Sequence, residues 1–388
     1  MKKHEMIHIK TDIPGDCCGC ASCVNICPKT AISMKSDSED FSYPVVDESL
    51  CIKCGLCRTA CPILKQPKIN KEVKAFGGFA SDLNEQLKSA SGGVFALLAK
   101  QILSEGGYIC GASFADDFSV KHIIISSEND LWRLRGSKYV QSEIGNCYSE
   151  IKGLIQDGKK VLFSGTPCQV AGLKSFLQKE YENLLTVDLI CHGVPSPGVW
   201  KRYLKEISNG RKILEVNFKD KDEEKSNIRI AYGEEELREN NSENLYMRGY
   251  LKNYYVRPSC FMCRFKGIQR CSDITIGDFW GVTEYHPDFQ NGKGTSAIIV
   301  HTSKGQMCFD KVHKEMQLIE VQVKELELWN ENLLSSTQYS VLRDEFFANW
   351  MDKGVTSCVK DLLEKDIKPI RQPDSVLLKI ISRFKSIF

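Results

Sequence analysis

The chain has 388 residues, 18 of them cysteine, and 52 Lys+Arg against 50 Asp+Glu leave a formal net charge of +2. That length predicts two or three domains, and 42% hydrophobic with 26% charged residues describes a folded, soluble protein. Near-neutral balance argues against a nucleic-acid partner held by a basic field. No apolar segment follows Met1-Lys2-Lys3-His4-Glu5 and no run approaches a membrane span, so a cytoplasmic protein is expected, with cysteines serving something other than disulfides.

Nine of the 18 cysteines lie within the first 61 residues. They form two copies of C-x2-C-x2-C-x3-C-P: Cys17, Cys20, Cys23, Cys27 and Pro28, then Cys51, Cys54, Cys57, Cys61 and Pro62. This is the bacterial ferredoxin run, in which three close thiolates hold one cubane and the fourth reaches the other. One [4Fe–4S] cluster is therefore assigned to Cys17, Cys20, Cys23 and Cys61, and a second to Cys51, Cys54, Cys57 and Cys27. Zinc prefers separated cysteine pairs and suits the triple spacing poorly. Cys18 falls outside the pattern and reads as a spare thiol. Residues 1–70 carry nine Lys/Arg and eight Asp/Glu; two oxidised cubanes at roughly −2 each would turn that +1 into roughly −3. An α+β ferredoxin-like 2x[4Fe-4S] domain is expected over 1–70, ending in the Lys65–Lys71 stretch.

From Lys74 apolar strand-like runs alternate with helix-period segments, which predicts a larger α/β domain over 71–325 with a mixed or mostly parallel sheet. Ser91-Gly92-Gly93 precedes a helix over Val94–Leu103; a Gly-rich helix start can hold a phosphate, although an ordinary Ser N-cap explains it as well. Strands follow at Gly107–Ala112 and Val120–Ile125. The cluster Arg135-Gly136-Ser137-Lys138-Tyr139-Val140-Gln141-Ser142 suits a phosphate or flavin edge, or a solvated turn.

Lys160–Ser164 reads as a buried strand broken by Gly165-Thr166-Pro167. A helix is expected from about Cys168 to Glu180, and a second strand, Leu184–Ile190, ends at Cys191-His192-Gly193. A strand–helix–strand crossover makes the strands parallel and sets Cys168 and Cys191 at the sheet's carboxyl edge, where ligands bind in open α/β folds. Asp220–Asn244 is charged and reads as a solvated hairpin or lid. Cys260 and Cys263 form a clip that, with Cys168 and Cys191, makes the four thiols of a third [4Fe–4S] cluster. Cys271 competes as a ligand, and zinc at Cys260 and Cys263 or a reactive thiol at Cys168 are alternatives. Cys110, Cys147, Cys308 and Cys358 lack ligand spacing and are expected as buried apolar thiols. Asp273–Gly281 alternates like a half-buried strand before a turn, with Phe279 and Trp280 read as core.

The tandem ferredoxin runs, Ser91-Gly92-Gly93, Gly136–Ser142, Gly165-Thr166-Pro167-Cys168-Gln169, Asp188–Pro197, Arg257-Pro258-Ser259-Cys260 and Asp273–Gly281 occur in that order. Together, over about residues 12–300, they resemble the family of coenzyme F420 hydrogenase/dehydrogenase beta subunits. The resemblance implies an iron–sulfur flavoprotein whose α/β domain binds FAD, with Ser91, Gly92, Gly93, Ser137, Lys138 and Gln141 as flavin or phosphate contacts. It also implies electron exchange between clusters and flavin and hydride transfer to a small organic substrate. The acceptor is coenzyme F420 in some relatives and a chlorophyll derivative in others, so it does not follow from the fold.

Residues 326–388 are expected as a helical extension. Its final segment, Val376–Phe388, sets Leu377, Ile380, Ile381, Phe384 and Phe388 on one face, suited to packing on its own domain or to peripheral membrane contact. Two functions follow: a flavin-dependent oxidoreductase fed by a redox partner protein or ferredoxin-type donor, or a non-catalytic electron-relay subunit. No single general acid or base stands out; His192, next to Cys191, is a candidate, with a hydrogen-bonded loop histidine the favoured reading.

Overall fold

The computed structural model describes residues 8–9, 11, 13–71, 73–222 and 225–367. The amphipathic segment 376–388 lies outside them. Near the amino terminus, β1 (Ile32–Ser36) and β2 (Ser42–Val46) pair antiparallel, with Ile32 opposite Val46 and Ser36 opposite Ser42. Each cysteine run then turns into one short helix, Ser22–Asn25 and Leu56–Thr59. The N-caps, Ala21 (φ 58°) and Gly55 (φ 75°), occupy matching places after Cys20 and Cys54. This repeated left-handed kink sends the third thiol of each run back toward the first two.

The larger domain is built on eight strands: β3 (Lys74–Ala80), β4 (Tyr108–Phe114), β5 (Val120–Ile125), β6 (Val161–Gly165), β7 (Leu184–Leu189), β11 (Ile274–Asp278), β12 (Ser296–Val300) and β13 (Met316–Val321). Their order is β13-β3-β12-β11-β7-β6-β4-β5. The four central strands β11, β7, β6 and β4 run parallel, and the flanking strands pair antiparallel, so the sheet is mixed. Val161 lies opposite Leu184, and Gly165 opposite Asp188, the parallel pairing expected of the crossover. Its helix runs Pro167–Leu177, with a Thr166/Gln169 capping box and Pro167 in the first turn. Leu162, Leu185 and Ile298 pack on one sheet face under the Val94–Ser104 helix, while Phe163, Tyr148 and Leu173 fill the other.

Three local expectations need correction. The cap of the Val94–Ser104 helix is Gly93 (φ 96°), not a serine; the Ser91 hydroxyl donates instead to Thr295 O at 3.0 Å. Strand β11 is buried along Ile274–Ile276 without alternation, because it lies inside the sheet with neighbours on both sides. The stretch read as a solvated hairpin belongs to a second sheet, β8 (Glu215–Asp222), β9 (Lys225–Ala231) and β10 (Glu236–Asn240). Phe218, Ile228 and Ile230 anchor that sheet in an aromatic core with Trp200, Tyr246 and Tyr255. The carboxyl-terminal end is helical as expected, and Phe346, Trp350, Val355 and Val359 of its last two helices complete that core. Among the described residues no helix is long and apolar enough to cross a membrane.

Candidate functional site

The first site lies in the dicluster domain. Cys17, Cys20, Cys23 and Cys61 line one cavity of about 200 Å³ together with Cys18. Cys27, Cys51, Cys54 and Cys57 line another. The fourth cysteine of each run has therefore crossed to the other group, because the two halves pack helix to helix. Backbone amides point at sulfur in both halves, Ile9 N to Cys57 Sγ (3.2 Å) and Ala31 N to Cys27 Sγ (3.3 Å). Such donors favour the thiolate over the thiol and fit a cluster ligand set. Among the described residues no three cysteine, histidine or acidic side chains converge on a point as one metal ion requires.

Beyond the dicluster domain, Cys191, Cys260 and Cys263 each lie within electrostatic reach of Cys168, and Cys191 also acts on Cys260. Burial raises all three thiols, Cys191 to about 12. The Cys168 thiol is also raised, first through its contact with Cys18 and then by burial. The sheet explains the gathering: Cys168 follows β6, Cys191 follows β7, and the Pro258–Met262 turn brings the clip over both. Cys271 is not part of this group, since its charged neighbours are Asp188, Lys174 and Arg270. Cys18, read as a spare thiol, sits between Cys20 and Cys168 and so links the two sites. Cys110, Cys147 and Cys358 are buried, but Cys308 is only partly so.

A cavity of about 940 Å³ opens along the carboxyl ends of β4, β6, β7 and β11. Ser91, Gly93, Ser137 and Lys138 line it; Gly92 and Gln141 do not. Gly92 N is spent on Ser296 Oγ (2.9 Å), and Gln141 donates to Cys18 O (3.2 Å) while accepting from Arg257 (2.9 Å). Lys138 holds its own loop by donating to Arg133 O (3.0 Å) and Arg135 O (2.7 Å), and burial brings its ammonium down to about 7. Other cations face the cavity. Lys219 pairs with Asp278 at 2.5 Å, and Lys221 donates to Ser91 O (2.5 Å) and Gln86 O (2.9 Å). Arg135 pairs with Glu85 at 2.7 Å but leaves Nη1 buried without a partner, as is Nδ1 of His122 in the same wall. The Arg135 donor beside a Gly-started helix suits an anionic group, whereas His122, whose Nε2 donates to Ser164 O (3.1 Å), leaves Nδ1 as an acceptor for a ligand donor. Phe279 is core, but the cavity-lining Trp280 is 61% exposed.

Residues 158–325 match the family described as the C terminus of the coenzyme F420 hydrogenase/dehydrogenase beta subunit, and residues 16–63 match the 4Fe-4S dicluster domain. The first match covers less than half of the chain and follows the dicluster match in sequence order. It is 22% identical over 328 residues to the F subunit of the F(420)H(2) dehydrogenase of Methanosarcina mazei, covering 80% of this chain and 86% of the relative. It is 25% identical over 304 residues to the coenzyme F420-dependent sulfite reductase of Methanocaldococcus jannaschii, covering 75% of this chain but 45% of that protein. A chain of the F420-reducing [NiFe] hydrogenase complex from Methanosarcina barkeri aligns at TM-score 0.45 and 16% identity, covering 79% of this chain and 96% of that one. The dicluster match supports iron–sulfur clusters in this chain, and the two named relatives are a dehydrogenase and a reductase.

Within residues 158–325, sequence reasoning gave no role to Lys219, Lys221 or Arg257. Alternation along β8 sends Lys219 and Lys221 to one face, a signal masked by the surrounding charges. His192 is a loop residue: Nε2 donates to Asn253 Oδ1 at 2.6 Å, an orientation set by the Asn253 Nδ2 bond to Gln338 O (3.0 Å). Its Nδ1 is left beside the Asn332 amide at 3.2 Å, and burial lowers the ring's affinity for a proton.

Proposed function

We propose that the protein is an iron–sulfur flavoprotein oxidoreductase with three [4Fe–4S] clusters and FAD, exchanging electrons with a small organic substrate. The observation that carries this reading is one loop. Residues 191–193, following β7, supply Cys191 to the third thiol group and also wall the large cavity. A cofactor there would lie beside the relay, at the edge of the sheet where ligands of open α/β folds bind. Bound flavin would supply the exchange between single electrons and a hydride.

The chain's own residues would bind and orient it. Arg135 and His122 offer unpaired donor or acceptor atoms, Lys219 and Lys221 supply positive potential, and Trp280 with Trp329 provide aromatic faces toward the open side. The donor would be a soluble one-electron carrier protein. The acceptor would be a small molecule, with coenzyme F420 one candidate because the named relatives use it. Anaerobic reconstitution followed by cofactor extraction tests the proposal. Near-stoichiometric flavin, reoxidised by a low-molecular-weight acceptor, is expected. A cluster-loaded chain that takes up no flavin leaves the non-catalytic relay.

A further inference from the structure

Among the described residues, the buried arginines have carboxylate partners, with one exception. Arg270 lies 3.4 Å from Asp188, and Arg343 pairs through both terminal nitrogens with Glu39. Arg257 is 0% exposed, yet among the described residues its guanidinium has only neutral acceptors: Cys17 O to Nε (2.9 Å), Gln141 Oε1 to Nη1 (2.9 Å) and Ser42 O to Nη2 (3.0 Å). Its remaining faces meet aromatic rings, Tyr43 at 4.4 Å and Phe41 at 5.4 Å from the ring centroids. A guanidinium keeps its proton in a protein, and an uncompensated buried charge is strongly unfavourable.

The missing countercharge would come from clusters held by the thiol groups on either side, since a cubane with its four thiolates is negatively charged. Arg257 acts electrostatically on Cys168, of the third group, and grips the backbone of Cys17, of the first. Gly19 shows how closely the loop is drawn in: with φ +71°, a Cβ there would stand 2.9 Å from Arg257 Nη1 and 2.7 Å from Gln141 Nε2. The second group, on the far half of the dicluster domain, receives none of these bonds.

We propose that Arg257 is a positioning residue that fastens the Cys17–Gly19 loop to the α/β domain and, as a buried cation between the two thiol groups, raises the reduction potentials of the clusters held by Cys17 and Cys168 relative to that held by Cys51. Reduction adds negative charge to a cluster, so a fixed positive neighbour favours the reduced state. This rests on the three-cluster reading above.

The test uses the full chain, reconstituted anaerobically, as wild type, Arg257→Gln and Arg257→Lys. Redox titration is followed by electron paramagnetic resonance, with signals assigned from Cys54→Ser and Cys168→Ser forms. At a fixed poise, Arg257→Gln should lower the reduced-to-oxidised ratio of the Cys17 and Cys168 clusters about tenfold, the scale of one lost charge at roughly 10 Å in a protein interior. The Cys51 cluster should not move. Arg257→Lys keeps the charge and should stay near wild type; it is the variant read if Arg257→Gln takes up no clusters. An equal shift at all three clusters in either variant, or no shift in Arg257→Gln, overturns the proposal. About eight irons with no Cys168 signal in the wild type would instead sink the third cluster. In that case the Cys17-against-Cys51 comparison still decides the role of Arg257.

Discussion

Gly172 is one of the contacts by which the crossover helix meets the Cys17–Cys23 loop. An added Cβ would stand 2.9 Å from Cys20 Cβ, 3.0 Å from Cys20 Sγ and 3.0 Å from Tyr148 Oη. Relaxed contacts between such atoms need about 3.5–4.0 Å, so the helix and the Cys17–Cys23 loop must part by roughly 0.5–1 Å. Tyr148 cannot yield cheaply, since its ring is buried and its hydroxyl donates to Gln169 O at 2.7 Å. Gly153, in the exposed part of the Cys147–Gln156 helix, is the matched control, with nothing within 4 Å of its added Cβ. Gly153→Ala should stabilise by about 1 kcal/mol through helix propensity. Gly172→Ala gains the same amount but incurs about 1–3 kcal/mol of overpacking, so the two should differ by about 1–3 kcal/mol in urea unfolding of the reconstituted chain. Gly172→Val should also lose about four irons, with the Cys51 cluster retained. Full iron in Gly172→Val, or equal stability of the two alanine variants, would refute the reasoning.

Replacing Cys168 or Cys260 by Ser should take iron from about twelve to about eight per chain, while Cys271→Ser should leave it unchanged; iron and sulfide assay after reconstitution decides. Arg135→Gln removes the orphaned donor in the large cavity and should weaken flavin binding about tenfold, the scale of one charge-assisted hydrogen bond; unchanged binding in a fluorescence titration would exclude the phosphate end from that wall. Burial holds the His122 imidazole down to about 4. The unfolded chain therefore takes up a proton near pH 6.5 that the folded chain refuses. Stability from the neutral ring is complete above pH 6.5 and declines by roughly 3 kcal/mol as pH falls to about 4. His122→Gln should flatten that decline in urea midpoints, and parallel pH profiles would contradict it.

The grouping of the cysteines in the dicluster domain was legible because it is local. Three thiols at C-x2-C-x2-C spacing meet around one cavity whatever the rest of the chain does, and only the exchange of Cys27 and Cys61 needs the two halves to pack. The β6–helix–β7 crossover was legible too, since buried apolar runs of strand length around a Pro-started helix have few alternatives. Gln141, expected from the family resemblance beside Ser137 and Lys138, does not line the cavity as they do. Its own side chain is claimed by Cys18 O and Arg257, partners more than a hundred residues away.

The eight cysteines of the tandem runs and their spacing thus pointed to the dicluster domain, and the strand–turn–cysteine motifs placed Cys168 and Cys191 after neighbouring parallel strands. Tertiary structure decided everything that depends on convergence. It set Cys271 beside Asp188, Lys174 and Arg270, brought Cys18 against Cys168, turned Lys219 and Lys221 into the large cavity, and buried Arg257 without a carboxylate partner among the described residues. The physical reason is that spacing along a chain governs contacts within one loop. Contacts between loops follow from strand order and register, which arise only when the whole sheet is assembled.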